Sequence, residues 1–378
     1  MAERVLAATL VRPGDLQLRR YPVPTELEPG AVVLRMLASG ICGTDKHTYV
    51  GETEQYVGTD HARSTPFPII QGHENVGMVH AIGGRALAFD GSELAVGDRV
   101  VPAPNWACGR CAFCARGFPY YMCRHLEDYG NSLTSEHPPH LFGGWAELLY
   151  LLPGTPVFRV PDELPTDVAV LTELMSVTHS LDLVSAMPRP GGFRPGDTVA
   201  VLGVGPLGLV HVAKAHLVGA GRVVALDRVP FRVELARRFG ADAGVAVEAR
   251  EDAIDAVLDA TDALGADVVV DASGRAETFD LALELVRDGG TIVEVGAFVD
   301  TGERPVNPAV VCGRNLTIVG VGGEDARAYE GTLRLLARHH ARIPFSRAVT
   351  HRFPLERVRE AVETALGGDG VMKVVIEP

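Results

Sequence analysis

The chain has 378 residues, 47% hydrophobic and 22% charged, with a formal net charge of −13. That is an ordinary globular composition, and 48 Asp plus Glu against 35 Lys plus Arg argues against a nucleic-acid partner, which would want a basic face. A chain this long buries about three quarters of its unfolded surface; 6 cysteines are too few for a disulfide scaffold, and 42 glycines with no three-residue period exclude collagen.

The apolar stretch 5–11 follows Glu3 and runs into Arg12-Pro13, a poor signal peptide. Short apolar runs at 31–37, 76–82 and 98–101 are separated by Pro-Gly at 13–14 and 29–30 and by Val-Gly-Asp at 96–98. These turn signals predict an irregular, β-rich first part. Within it, Cys42-Gly43-Thr44-Asp45-Lys46-His47 precedes Gly72-His73-Glu74. A lone Cys or His is more often structural, but with Glu173, in Leu171-Thr172-Glu173-Leu174, these motifs offer a thiolate, an imidazole and carboxylates. A catalytic zinc takes three protein ligands and keeps one position open.

Four more cysteines form Cys108-x₂-Cys111-x₂-Cys114-x₈-Cys123. Four thiolates in one short lobe suit a closed, structural zinc site. Iron–sulfur ligation and free thiols are the rival readings; nothing beside the cluster suggests electron transfer.

After about residue 175 the pattern changes to alternating β-branched runs and helical segments. Strands are predicted at 198–202, 223–226, 268–270, 291–295 and 316–319, with helices such as 229–239 and 276–286 between them. Continuous apolar strands are buried on both faces, which predicts a doubly wound parallel sheet. The uncharged stretch 198–213 is broken by Gly203, Gly205, Pro206 and Gly208, so it is no membrane span, and a cytoplasmic protein is expected. Helices near 328–339 and 355–365 and a strand at 373–376 follow.

Strand 198–202 runs into Gly203-Val204-Gly205-Pro206-Leu207-Gly208 and then a helical run, and Asp227 stands nineteen residues after Gly208. This is the dinucleotide fingerprint in its full context. Gly203 serves the tight turn, Gly205 the approach of the diphosphate and Gly208 helix–strand packing, while Pro206 suits a first helical turn. Asp227 would bind the adenosine ribose and repel a 2′-phosphate, favouring NAD; Arg228 and Arg232 beside it leave NADP the weaker alternative.

Taken with Val96-Gly97-Asp98-Arg99-Val100, Gly143-Gly144-Trp145-Ala146-Glu147 and Lys373-Val374-Val375-Ile376, these motifs stand in the order of one family. The chain resembles the zinc-dependent medium-chain alcohol/polyol dehydrogenases, a group that includes sorbitol and threonine dehydrogenases. The resemblance spans essentially the whole chain. It implies an α/β fold with a GroES-like β-rich catalytic domain at 1–173 carrying a structural zinc lobe at 105–125, a Rossmann NAD-binding domain at 174–320, and a return to the catalytic domain at 321–378. It implies a catalytic zinc on Cys42 and His73, completed by Glu173 or Glu74, with Asp45 fixing the His73 tautomer. Thr44 would contact the substrate hydroxyl, and His47 would pass its proton to solvent. Val295, Ala297, Val319 and Val321 would hold the carboxamide, and Lys373 would reach the diphosphate. The implied reaction is hydride transfer between an alcohol, a secondary alcohol or polyol, and NAD, with two zinc ions per subunit, a homodimer or homotetramer, and no nucleic acid or membrane partner.

Three departures from the family pattern stand out. The last cysteine gap is x₈ where x₇ is usual, Leu174 stands where polyol-type members have proline, and the segment 48–72 is long. This segment, with Tyr49, Tyr56, His61 and Phe67, is expected to fold over the active-site mouth. Tyr49, Trp106 and Phe142, with His140, are candidate pocket residues. Two other readings carry different chemistry. One is a dismutase or lyase that retains its NAD; the other is a non-enzymatic NAD-binding protein, which the full set of Cys42, His73 and Glu173 disfavours.

Overall fold

The computed structural model describes residues 3–60, 62–300 and 302–378. His61 therefore lies outside the described residues. Two sheets dominate. The first has seven strands, in the order Val157–Arg159, Arg99–Pro102, Glu74–Ile82, Val32–Gly40, Lys373–Glu377 and Val349–Pro354, with Leu148–Leu151 also paired to Val32–Gly40. The predicted runs at 31–37, 76–82 and 98–101 are three of these strands. Val32–Gly40 is buried along almost its whole length, since it carries neighbours on both sides.

The register of this sheet builds the site. Gly40 pairs with Glu74 on one side and with Val375 on the other. The chain two residues beyond Gly40, at Cys42, is thereby brought beside the chain one residue before Glu74, at His73.

The second sheet is fully parallel, in the order Ala243–Ala246, Arg222–Asp227, Thr198–Leu202, Ala266–Asp271, Val286–Glu294 and Thr317–Gly320. In sequence terms that is 3-2-1-4-5-6, the doubly wound order, whose ligand crevice opens where the order reverses, between the first and fourth strands. Thr198–Leu202 is buried at every residue, as its unbroken apolar run predicts. The edge strand Ala243–Ala246 and the helix Arg250–Ala260 were not singled out in the sequence; Ala-Gly-Val-Ala has little β-branched character to mark it. Between the sheets the chain runs through the short helices Thr172–Ser176 and His179–Ala186.

Candidate active site

A cleft of about 600 Å³ opens between the two sheets, lined by Cys42, Thr44, His47, His73 and Glu173 from one side and by Gly203, Gly205, Pro206, Leu207, Asp227, Arg228 and Arg232 from the other. Cys42 caps the helix Gly43–Val50 in extended backbone conformation. Asp45, the third residue of that helix, accepts the Cys42 backbone N–H at 2.8 Å, which fixes the turn that presents the thiol. Glu173 is carried on the helix Thr172–Ser176 and is buried. Burial, with the nearby Glu324 and Glu74 charges, pushes its pKa well above the carboxylate range. Burial works against a charge on His73 too, but the Asp45 and Cys42 charges outweigh it and hold its pKa well up. The pocket thus gathers negative charge that draws a proton onto the ring, and a soft-to-borderline cation held by sulfur, nitrogen and oxygen would satisfy the same field.

The four lobe cysteines are a tighter set. Cys111 and Cys114 sulfurs lie 3.5 Å apart, Cys108 and Cys123 3.5 Å, and Cys111 and Cys123 4.0 Å. A tetrahedron of zinc–sulfur bonds of about 2.3 Å has edges of about 3.8 Å, so the spacing fits a zinc tetrathiolate. Backbone N–H groups of Cys114 and Arg124 bring Cys111 down to about 6, which favours the thiolate that a metal would need. Among the described residues this is the only group of three or more His, Cys, Asp or Glu whose donor atoms all lie within 4.8 Å of one another; Cys42, His73 and Glu173 are more loosely gathered.

The glycine turn forms a cradle. Gly203 has φ +76, and a Cβ there would meet the Ser273 Cα at 2.6 Å; a Cβ on Gly208 would meet the Gly203 carbonyl at 1.9 Å. Gly205 is different: a Cβ there would meet only the Arg232 Nη1, at 3.9 Å. That open space lies at the N-terminus of the helix Pro206–Leu217, whose free N–H groups favour a phosphate. Asp227 accepts the Val229 N–H at 2.9 Å and lies 3.8 Å from Arg232.

Several expectations are corrected. Glu74 and Lys373, assigned to the metal and the diphosphate, pair with each other at 2.6 Å, and both are buried. The cause is strand register: Glu74 faces Gly40, where a Cβ would meet the carboxylate at 1.9 Å, and Lys373 opens the next strand. Asp45 lies 3.8 Å from His73 Nδ1, too far for a hydrogen bond, and Asn131 is nearer at 3.3 Å. Val295 and Val321 line the cleft, whereas Ala297 and Val319 do not; the Ala297 N–H goes to Glu294, and Val319 pairs within the sheet. Tyr49, Trp106 and Phe142 do not line it either. Tyr49 and Phe142 pack into the first sheet's core, and the Trp106 indole N–H donates to Pro153. His140 bonds to the Ser135 carbonyl.

In their place the structure brings in Tyr56, already named in the segment expected over the mouth, and Glu324, which no motif marked. Tyr56, from the long segment, lines the cleft, and its hydroxyl lies 3.3 Å from Asn105 and 3.1 Å from Asp128. Gln55 bridges to Val299, so this segment reaches the chain that follows the strand Val286–Glu294 of the second sheet. Glu324 is buried in the wall, held by the Tyr120 hydroxyl and by Asn105 at 3.4 Å. Burial pushes its pKa to about 7. Only its place after Gly322-Gly323, at the end of a cofactor-side strand, could have drawn attention to it.

Comparison with known proteins gives a consistent result. Residues 28–162 match the family described as the alcohol dehydrogenase GroES-like domain, and residues 206–338 match the family described as zinc-binding dehydrogenase. The chain is 36% identical over 375 residues to the "Probable alcohol dehydrogenase adh" of Mycobacterium tuberculosis, covering 97% of this chain and 96% of that one. It is 32% identical to an L-threonine 3-dehydrogenase of Anaeromyxobacter, covering 96% of each. Among solved structures, an alcohol dehydrogenase of Thermotoga maritima superposes with a TM-score of 0.88 at 27% identity over the whole of both chains. No helix among the described residues is long and apolar enough to cross a membrane.

Proposed function

The chain belongs to the zinc-dependent medium-chain alcohol/polyol dehydrogenases, oxidoreductases acting on CH–OH donors, and on that premise we propose that it moves a hydride between a secondary alcohol or polyol and NAD. Residues 1–173 and 321–378 supply the metal and substrate groups and residues 174–320 the cofactor groups. The observation that carries this reading is a single cleft lined by Cys42, His73 and Glu173 on one side and the glycine turn on the other.

Cys42, His73 and Glu173 hold the catalytic zinc, and the four lobe cysteines hold a second, structural one. Bound there, zinc would supply the positive charge that lowers the pKa of the substrate hydroxyl, and a bound nicotinamide would supply the hydride acceptor. Thr44, buried beside Cys42, receives the hydroxyl's hydrogen bond. His47 lines the same cleft, and its ring meets the exposed Glu52 carboxylate, so it carries the proton to solvent. Val295 and Val321 flank the nicotinamide. Asp227 selects NAD, its buried carboxylate opposing a 2′-phosphate.

The edge strand Thr317–Gly320 leaves Ile318 exposed, and Val306 and Val310 are exposed nearby, which supports a homodimer or homotetramer built along that edge. All six cysteines are unpaired, as suits a reducing cytoplasm. The test is a panel of primary, secondary, cyclic and polyol alcohols assayed with NAD and with NADP on zinc-loaded protein. Reduction of NAD by a secondary alcohol, lost on chelation of the catalytic zinc, is the expected result. Absence of turnover across the panel in either direction would refute it.

A further inference from the structure

Lys46 has no role in the reading so far. It sits in the helix Gly43–Val50, between Thr44 and His47, half-buried in the wall of the cleft. Among the described residues its ammonium has no hydrogen bond or ion pair. Burial pulls its pKa below the usual lysine range; the Cys42 charge opposes this, and the cations Lys373 and Arg232 add to it. Lys373 is already matched by Glu74. A cation held partly dry beside another cation is costly unless an anion joins them.

Arg232 points to that anion. It comes from the first turn of the helix Pro230–Arg238. Among the described residues its Nε is buried without a partner, and its Nη1 is the only atom outside the adjoining chain within 4 Å of the position a Gly205 Cβ would occupy. Lys46 and Arg232 thus line one cleft from its two sides, together with the Gly205 turn whose helix N–H groups favour a phosphate. An anionic substrate is a poorer occupant, since the same cleft is lined by the acids Asp128, Glu173 and Glu324.

We infer that Lys46 binds the diphosphate of the dinucleotide together with Arg232, closing on it from the catalytic side. This rests on the dinucleotide-dependent reading above. Because Lys46 shares its helix with Thr44 and follows Cys42, the bound diphosphate also steadies the backbone that presents the metal and substrate groups.

The test is direct binding, without turnover, of NADH, ADP-ribose and adenosine to wild type, Lys46→Met and Lys46→Arg. Met keeps the apolar stem and removes the charge. Loss of one charge-assisted contact should weaken NADH and ADP-ribose binding about 10- to 100-fold, leave adenosine within about twofold, and flatten the salt dependence of ADP-ribose binding. Lys46→Arg should retain most of the affinity, and Lys46→Gln, which also removes the charge, carries the test if the Met variant does not fold. Unchanged ADP-ribose binding in Lys46→Met, or equal loss of adenosine, would overturn the role of Lys46 alone. A wild-type protein that binds neither NADH nor ADP-ribose would overturn the functional reading beneath it.

Discussion

Replacing Asp227 with alanine tests cofactor choice at one carboxylate. One of its oxygens accepts the Val229 N–H, and the other lies 3.8 Å from Arg232; its side chain is 7% exposed, so water screens it little. A ribose hydroxyl donating to such a carboxylate contributes about 1.5–3 kcal/mol, and its loss should lower kcat/KM for NAD about 10- to 100-fold. A 2′-phosphate about 4–5 Å from the carboxylate is opposed by about 3–4 kcal/mol per unit charge at an effective dielectric of about 20. Arg232 offsets part of this in wild type and is released in the variant. The ratio of kcat/KM for NAD to that for NADP should therefore fall by about a thousandfold. Asp227→Asn keeps an acceptor while removing the charge, so it should regain NADP activity with a smaller loss for NAD. Steady-state kinetics with both cofactors at fixed alcohol measure this, and thermal unfolding accounts for the lost Val229 bond. A ratio that moves less than threefold in both variants would refute the argument.

Cys42→Ala and Glu173→Ala should each lower kcat by more than about a thousandfold and reduce the zinc content, while the Kd for NADH stays within about twofold; full turnover in a verified metal-free variant would disprove the catalytic site. Cys114→Ser should lose the lobe zinc and lower Tm. Because the lobe's Tyr120 hydroxyl holds Glu324, it should also raise KM for the alcohol more than KM for NAD, and equal shifts in both would contradict that link. His211 is buried, bonded to the Leu207 carbonyl and to Ser180, and burial takes its pKa from the usual 6.5 down to about 4. The folded state therefore resists its protonation: stability is unaffected above pH 6.5 and declines as pH falls towards 4, by up to about 3 kcal/mol. Urea midpoints across that window should fall less for His211→Gln, and parallel curves would rule the residue out.

Local chemistry was legible in the sequence, and three-dimensional pairing was not. The strand Thr198–Leu202, its glycine turn and Asp227 at the end of the next strand obey short-range rules, so their places in the fold could be read from spacing. The lobe cysteines lie within sixteen residues of one another, and spacing sufficed there too. Glu74 and Lys373 show the limit. Each looked like a group awaiting a ligand, and only the register of three strands reveals that they neutralise each other. Tyr49, Trp106 and Phe142 failed differently: an aromatic side chain near a motif can face the core or the cleft, and irregular backbone fixes no period from which to choose. Glu324 and Lys46 were silent because a charged residue in a loop or short helix reads as solvated until neighbours from the other half of the chain bury it.

The Glu74–Lys373 pair joins residues 299 positions apart, and that separation sets a timetable for synthesis. At about 5–20 residues per second, a ribosome needs roughly 15–60 s to travel from one to the other. For that interval the carboxylate next to His73 has no counter-ion, and the strand Val32–Gly40 lacks its neighbour Lys373–Glu377. The parallel sheet draws its strands from residues 198–320 alone, and Tyr329, Leu333 and Leu336 join the core around it soon after. Every strand of the nucleotide-side sheet is therefore synthesised before the sheet that presents Cys42 can be completed. In this interval the unfinished first sheet, with an open edge and an unpaired acid, is the part most in need of a chaperone.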